Sequence, residues 1–204
     1  MKILKSAVSV LLLLTILLSL AACGSPGGPE TPSAAAPTEA VTELDDAQLA
    51  RAKQLAAAFA LFGDCDARYG LELKQLDRMV YCFYTGELDR AADGVITIAK
   101  DEADKTVRGI FRGLEMPELF RAKRGEDPGY YYEDGFYYIE PAESATEVGI
   151  RSAKPLEGTD GAQIGFTVVA EVKAEGVMKE LELDLVFDEE SVFSAARCET
   201  RLHN

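Results

Sequence analysis

Two spacings of apolar residues run along this chain, and they change over near its middle. Up to about residue 114 apolar positions recur every three or four residues; beyond residue 130 they alternate one by one. The first spacing is that of helices with one buried stripe, the second that of strands with one buried face. Thr42 and Asp45 have the spacing of a helix cap. Ala52, Leu55, Ala56, Phe59 and Phe62 then form a single stripe that Gly63 should end. A second helix is expected from about Leu71 to Tyr84, with Leu73, Leu76, Val80 and Phe83 inward. Cys82 lies nearly opposite that stripe, beside Gln75 and Arg78, so it faces either a second layer or solvent. Gly94–Ile98 reads as a short strand. Asp101 is placed to cap a third helix whose Val107, Ile110, Phe111 and Leu114 turn inward.

The second half reads as a series of strands. Tyr130–Glu133 and Phe136–Ile139 flank Asp134-Gly135, the dipeptide of a tight hairpin turn. That turn puts Tyr131, Glu133, Phe136 and Tyr138 on one face, and Tyr130, Tyr132, Tyr137 and Ile139 on the other. A strand follows near Thr146–Ala153. Ile164, Phe166, Val168, Ala170 and Val172 then alternate with more polar neighbours, as do Leu181, Leu183, Leu185 and Phe187. A two-residue turn at Glu175-Gly176 pairs Ala170 with Leu181, Val168 with Leu183 and Phe166 with Leu185. Inward meets inward throughout, which fixes the register. A last strand, Val192–Leu202, follows an acidic loop. A four-residue loop sets Glu182 opposite Arg197 and puts Cys198 on the inward face with Ser194, Ala196 and Leu202.

The N-terminus obeys neither spacing. Lys2 and Lys5 precede an unbroken apolar or small-residue run from about Ala7 to Leu20. That run falls short of the roughly 20 apolar residues a bilayer span needs, and its charged flank and small-residue end are those of an export signal. It ends in Leu20-Ala21-Ala22-Cys23, which resembles the lipobox of bacterial lipoproteins. The resemblance implies cleavage before Cys23 and a diacylglycerol on its sulfur, and two acyl chains hold a protein stably on a membrane. The expected domains are a signal peptide over residues 1–22, a tether over 23–42 and a single α+β domain over 43–204. Pro26, Pro29, Pro32 and Pro37 run through Gly, Ser, Thr and Ala in the tether, a composition that builds no core and reaches about 25 Å.

Composition narrows the partners. Removing residues 1–22 from 204 leaves 182, enough for one domain with a full core and few for a two-lobed solute-binding protein. The formal charge of −14 becomes −16 when Lys2 and Lys5 leave with the signal. Such a surface repels nucleic acid and anionic headgroups, so the domain is expected to stand off its membrane. With Cys23 lipidated, Cys65, Cys82 and Cys198 remain. Three thiols allow one disulfide outside the cytoplasm, but no full framework, and buried thiols are the simpler reading.

Helices first, then a hairpin and a long meander, resembles the NTF2-like cone fold, with the cystatin-like fold as alternative. Both imply N-terminal helices packed on one face of a twisted antiparallel sheet. Catalytic constellations are sparse. The single His, His203, sits next to the C-terminus, so a Ser-His-Asp or Cys-His site would need its base on an end expected to fray, which argues against it and against an imidazole-based metal site. No phosphate-binding glycine loop and no C-x-x-C pair occur, and Asp64 with Asp66 lacks the rest of a calcium loop. No cofactor is expected. Among 35 acids no pair stands out, and the row Glu180, Glu182, Asp184, Asp188 reads as the solvated face of a strand.

One local anomaly remains. Five of the eight Tyr lie between Tyr130 and Tyr138, more aromatic surface than a half-buried hairpin needs. Tyr131, Tyr138, Tyr132 and Tyr137 are therefore the candidate contacts for a ligand or partner. Tyr131 and Tyr138 are expected to be the more exposed pair, since they share their face with Glu133. The expected function is a membrane-anchored extracytoplasmic lipoprotein acting as a non-enzymatic binding module for a small molecule, glycan or envelope protein. The alternative is a carboxylate-dependent, glycan-acting envelope enzyme with its site in the sheet concavity.

Overall fold

A computed structural model describes residues 44–86, 94–111, 121–140, 147–174, 176–189 and 192–201. The expectations for the signal, Cys23, the tether, Thr42, Leu114, Leu202 and His203 lie outside the described residues. The chain is an α+β protein. It runs α1 (Asp46–Phe62), β1 (Cys65–Asp66), a 3-10 turn (Ala67–Tyr69), α2 (Leu73–Thr85), β2 (Ile96–Ala99) and α3 (Lys100–Ile110). Six strands follow: β3 (Tyr130–Glu133), β4 (Phe136–Ile139), β5 (Glu147–Glu157), β6 (Gln163–Ala174), β7 (Val177–Val186) and β8 (Ser194–Arg201).

The strands do not form one sheet. β5 to β8 and the short β1 make a five-stranded antiparallel sheet in the order β1-β8-β7-β6-β5, while β2, β4 and β3 make a separate three-stranded sheet. The hairpin leaves the meander because β2, from the helical half, takes the second edge of β4. Ile96 pairs there with Ile139 and Ile98 with Tyr137. The Lys100 amide donates to the Gly135 carbonyl at 3.0 Å, so α3 starts where the small sheet ends.

Between the sheets lie the helices, and their order explains a sequence pattern that periodicity does not capture. α1 packs on β5, β6 and β7 and also against α2, while α2 and α3 reach β4 of the small sheet. α1 is thus covered on two sides. Its predicted stripe is buried at Ala52, Leu55, Ala56 and Phe59, but Ala57, Ala58 and Ala60 on the other flank are buried too. Alanine carries too little apolar weight to mark a face, yet its small side chain lets a second helix approach closely. Gly86, just past α2, rests on that surface: a Cβ there would lie 3.0 Å from the Ala58 nitrogen and 3.1 Å from the Ala57 carbonyl carbon. α2 is likewise two-faced. Leu76, Val80 and Phe83 are buried as its stripe predicts, and so are Asp77, Met79, Cys82 and Tyr84, whereas Leu73 is exposed. Cys82 therefore faces a second layer.

At α1 the cap falls three residues later than the Thr42 spacing predicts: Asp45, expected at the third position of the helix, is itself the N-cap. Asp45 accepts from the Gln48 amide at 2.8 Å, the Gln48 side-chain oxygen accepts from the Asp45 amide at 3.0 Å, and the helix stops at Gly63. The Lys179 ammonium on β7 donates to the Ala60 carbonyl at 2.7 Å, completing the last turn. At α3 the expected cap moves by two residues. Ala99 is the N-cap, and Asp101 sits inside the first turn, where its charge suits the helix dipole.

In the large sheet the β6–β7 register is the one the alternation requires, with Phe166 opposite Leu185, Val168 opposite Leu183 and Ala170 opposite Leu181. All six side chains are buried. β8 departs from expectation by two residues. Arg197 pairs with Asp184, Cys198 with Leu183, and a bulge at Ala196 brings Ala195 opposite Leu185. The buried residues of β8 are therefore Ser194, Ala195 and Cys198, and Ala196 is only half-buried. An alternation read from sequence carries no mark of an inserted residue, so the bulge stays invisible until the pairing is seen.

Candidate functional site

The Tyr hairpin has the predicted geometry. Asp134 at φ 50° and Gly135 at φ 87° form the two-residue turn with both central residues left-handed, and Tyr131 faces Tyr138 while Tyr132 faces Tyr137. Its two faces differ sharply. Tyr130, Tyr137 and Ile139 are buried against the helices and Tyr132 is half-buried beside them. On the other face Glu133 and Phe136 are exposed, Phe136 at 42%, and Tyr131 and Tyr138 are half-buried.

That outer face is built in two rows across the small sheet. One row reads Tyr131, Tyr138, Thr97 and the other Glu133, Phe136, Ala99. The Tyr131 and Tyr138 rings stack at 4.9 Å with planes 12° apart. Arg124 lies over the outer side of the stack, its guanidinium carbon 4.2 Å from the Tyr131 ring centre. It also donates to Glu133 at 3.2 Å. Arg124, which also donates to the Tyr131 hydroxyl at 2.5 Å, thus forms a ladder of planar groups with Tyr131 and Tyr138. Beyond Tyr138 the cross-strand neighbour is Thr97, and beyond Phe136 it is Ala99. Both are short and exposed, so the two aromatic rings stand above a low shelf.

The inner face closes on a buried polar knot. Asp77 of α2, fully buried, accepts from the Tyr137 hydroxyl, from the Arg121 amide at 3.2 Å and from the Ala122 amide at 3.0 Å. The Arg121 guanidinium donates to the Tyr137 oxygen at 2.8 Å and grips both oxygens of Asp104 on α3 at 2.8 and 2.9 Å. It also lies 5.1 Å from the Tyr132 ring centre. Arg121 holds a left-handed backbone, φ 62°, which costs a non-glycine residue energy that these bonds offset. Burial, reinforced by the Asp77 charge, pushes the Tyr130 and Tyr137 hydroxyls up from their ordinary range. Of the candidate contacts, Tyr137 is therefore buried in the core's hydrogen bonding, and Tyr132 lies half-buried beside Arg121. Both oxygens of Asp77 are engaged by donors of the chain itself.

Sequence reasoning missed Arg121, Arg124, Asp77 and Asp104. The signal was present as Arg121-Ala122-Lys123-Arg124, a cluster of cations just ahead of the aromatic hairpin in an otherwise acidic chain.

Among the described residues the buried side-chain polar atoms without a hydrogen-bond partner are Thr85 Oγ1 and Arg121 Nε. The acidic row on the outer face of the large sheet is paired, not simply solvated. Arg197 donates to Asp184 at 2.8 Å, to Glu199 at 2.7 Å and to Glu182, and Arg201 also reaches Glu182. Asp184 is buried and accepts in addition from Thr167 at 2.7 Å. A cavity of about 330 Å³ lies between α1, α2 and α3, lined by Arg51, Phe83, Tyr84, Lys105, Thr106 and Val192 among others. Its Arg51 donates to the Phe193 and Gly109 carbonyls and to Gln54, so that cation serves to bind β8 to the helices. Among the described residues no group of three or more His, Cys, Asp or Glu could hold a metal ion, and no helix is long and apolar enough to cross a membrane.

No protein-family model, curated protein or solved structure matches the chain significantly.

Proposed function

We propose that the protein is a bacterial lipoprotein anchored through Cys23 on the extracytoplasmic side of a membrane, and that its domain is a binding module without catalytic activity. The outer face of the small sheet is the contact surface, with Tyr131, Tyr138 and Phe136 at its centre. The observation that carries this reading is the Arg124–Tyr131–Tyr138 ladder. It sits on the face away from the core. Rigid aromatic groups offer contact area at low entropic cost. The face is flat with a low shelf beside it, which suits an extended partner, a glycan strand or a segment of an envelope protein, better than an enclosed small molecule. The acidic remainder of the surface fits a module held clear of anionic headgroups by its tether.

The test is made face by face on the full-length chain. The Tyr131→Ala/Tyr138→Ala double should melt within a few degrees of wild type and lose capture of envelope glycan or protein in a pull-down. The Tyr132→Ala/Tyr137→Ala double should unfold at much lower temperature. An outer double that melts as low as the inner one makes the ladder part of the core and removes the binding face. Anchoring is tested separately: Cys23→Ala should abolish fatty-acid labelling and detergent-phase partitioning, and continued labelling refutes the lipobox.

A further inference from the structure

Two of the three thiols within the domain meet across strands. Cys65 on β1 is the direct antiparallel partner of Cys198 on β8, and Asp66 is that of Arg197. Direct partners project to the same side of a sheet, with Cα atoms about 4.5–5.5 Å apart. That separation lies inside the roughly 4.4–6.8 Å window a disulfide needs. The third thiol is elsewhere: Cys82 lies on α2, and its charged neighbours there are Arg78 and Asp127. We propose that Cys65 and Cys198 are a dithiol pair that a disulfide-bearing oxidant closes into a cross-strand disulfide, pinning the exit of α1 to β8. The proposal does not depend on the outer sheet face being a binding surface.

The chemistry is ordinary exchange. Cys65 is half-buried and Cys198 is 2% exposed, so Cys65 meets the oxidant first. Its thiolate attacks one sulfur of the oxidant disulfide, making a mixed disulfide and releasing one oxidant thiol. The Cys198 thiolate then attacks the Cys65 sulfur and releases the second. The protein loses two electrons and two protons, and the oxidant disulfide becomes two thiols. Burial pushes the Cys65 thiol up to about 12 and Cys198 higher still; Asp64 and Glu199 add to the rise at Cys198, and Arg197 opposes it. Closure of the folded dithiol is therefore slow near neutrality, and closure during folding, before this edge dries, is faster.

Why the pair would matter follows from its place. β1 has only two residues, yet it supplies the neighbour that β8 otherwise lacks at the edge of the large sheet. A link between positions 65 and 198 closes most of the domain into one loop, the case in which a cross-link restricts the unfolded chain most.

The full-length chain is purified reduced in detergent, unfolded, and refolded with glutathione disulfide present. Thiols are then blocked in denaturant and the digest is read by mass spectrometry. The expected product lacks two hydrogens and contains the Cys65 peptide joined to the Cys198 peptide, with Cys82 alkylated. Cys82→Ser should give the same link, while Cys65→Ser and Cys198→Ser should give none. The closed protein should melt on the order of ten degrees higher than the same sample after reduction, a comparison that needs no variant. Glutathione adducts without the link, a link through Cys82 or Cys23, or equal melting of the closed and reduced forms would overturn the proposal.

Discussion

Replacing Asp77 with alanine tests the polar knot that joins α2 to the small sheet. The change leaves three donors without their acceptor: the Tyr137 hydroxyl and the Arg121 and Ala122 amides. An unsatisfied buried donor costs about 1–3 kcal/mol. The Tyr137 ring and Ala122 are buried, and the Arg121 amide is the least sheltered of the three, so a loss of about 3–5 kcal/mol is expected. The guanidinium of Arg121 keeps Asp104, so no unpaired buried charge adds to this figure. Asp77→Asn retains one acceptor oxygen and sets an amide nitrogen against a backbone N–H, and should cost about 1–3 kcal/mol. Tyr137→Phe removes one of the three donors. In the Asp77→Ala background it should therefore cost less than in wild type, a coupling of about 1–2 kcal/mol by double-mutant cycle. Urea unfolding with a common slope measures wild type and the four variants. A typical domain has only about 5–15 kcal/mol to lose, so these changes are large. An Asp77→Ala variant within about 1 kcal/mol of wild type, or a cycle with no coupling, refutes the knot as a structural tie.

Two further outcomes follow from the core and from the tyrosines. Leu185→Ala truncates a fully buried side chain opposite Phe166 and should cost about 2–5 kcal/mol, whereas Glu182→Ala removes a carboxylate from a surface arginine pair and should cost about 1 kcal/mol; equal losses in urea would count against the inward–outward assignment. Above pH 10 an unfolded tyrosine sheds its proton while Tyr130 and Tyr137 keep theirs, so the unfolded state binds fewer protons and stability falls as pH rises. The expected fall is about 1.4 kcal/mol per pH unit for each of the two, with their phenolate absorbance appearing only together with unfolding; ionisation of all tyrosines near pH 10 in the folded protein would rule this out.

The strand half of the fold was legible in the sequence because a sheet edge constrains it twice, once by alternation and once by turn length. Phe166, Val168 and Ala170 could meet Leu185, Leu183 and Leu181 in only one register. The hairpin was legible for the same reason, since Asp134-Gly135 admits one turn. What escaped was long-range. Nothing between Gly94 and Ile98 says that this strand will join β4, yet that pairing is what separates the small sheet from the large one. The second buried side of α1 escaped because it is written in alanines, and the bulge at Ala196 because an extra residue leaves the composition of a strand unchanged.

The candidate site was legible to the extent that a face could be told from its opposite. Glu133 marked the outer face of the hairpin, because a carboxylate without a buried partner resists burial, and Tyr131 and Tyr138 lie there with it. The same reasoning failed for Asp77, a carboxylate in the middle of a helix that looks solvated and is fully buried. The difference is the partner. Asp77 meets a hydroxyl and two amides brought from elsewhere in the chain, the amides consecutive and the first on the left-handed Arg121. A single sequence prices a charge by its neighbours along the chain; the fold prices it by its neighbours in space. The two arginines that flank the hairpin show both outcomes at once. Arg121 turns inward to Asp104 and Tyr137 and fixes the sheet to the helices, while Arg124 turns outward over Tyr131. Inward, the cation is consumed by structure. Outward, it lies over Tyr131, whose ring stacks on Tyr138, on the face that the proposed function makes the contact surface.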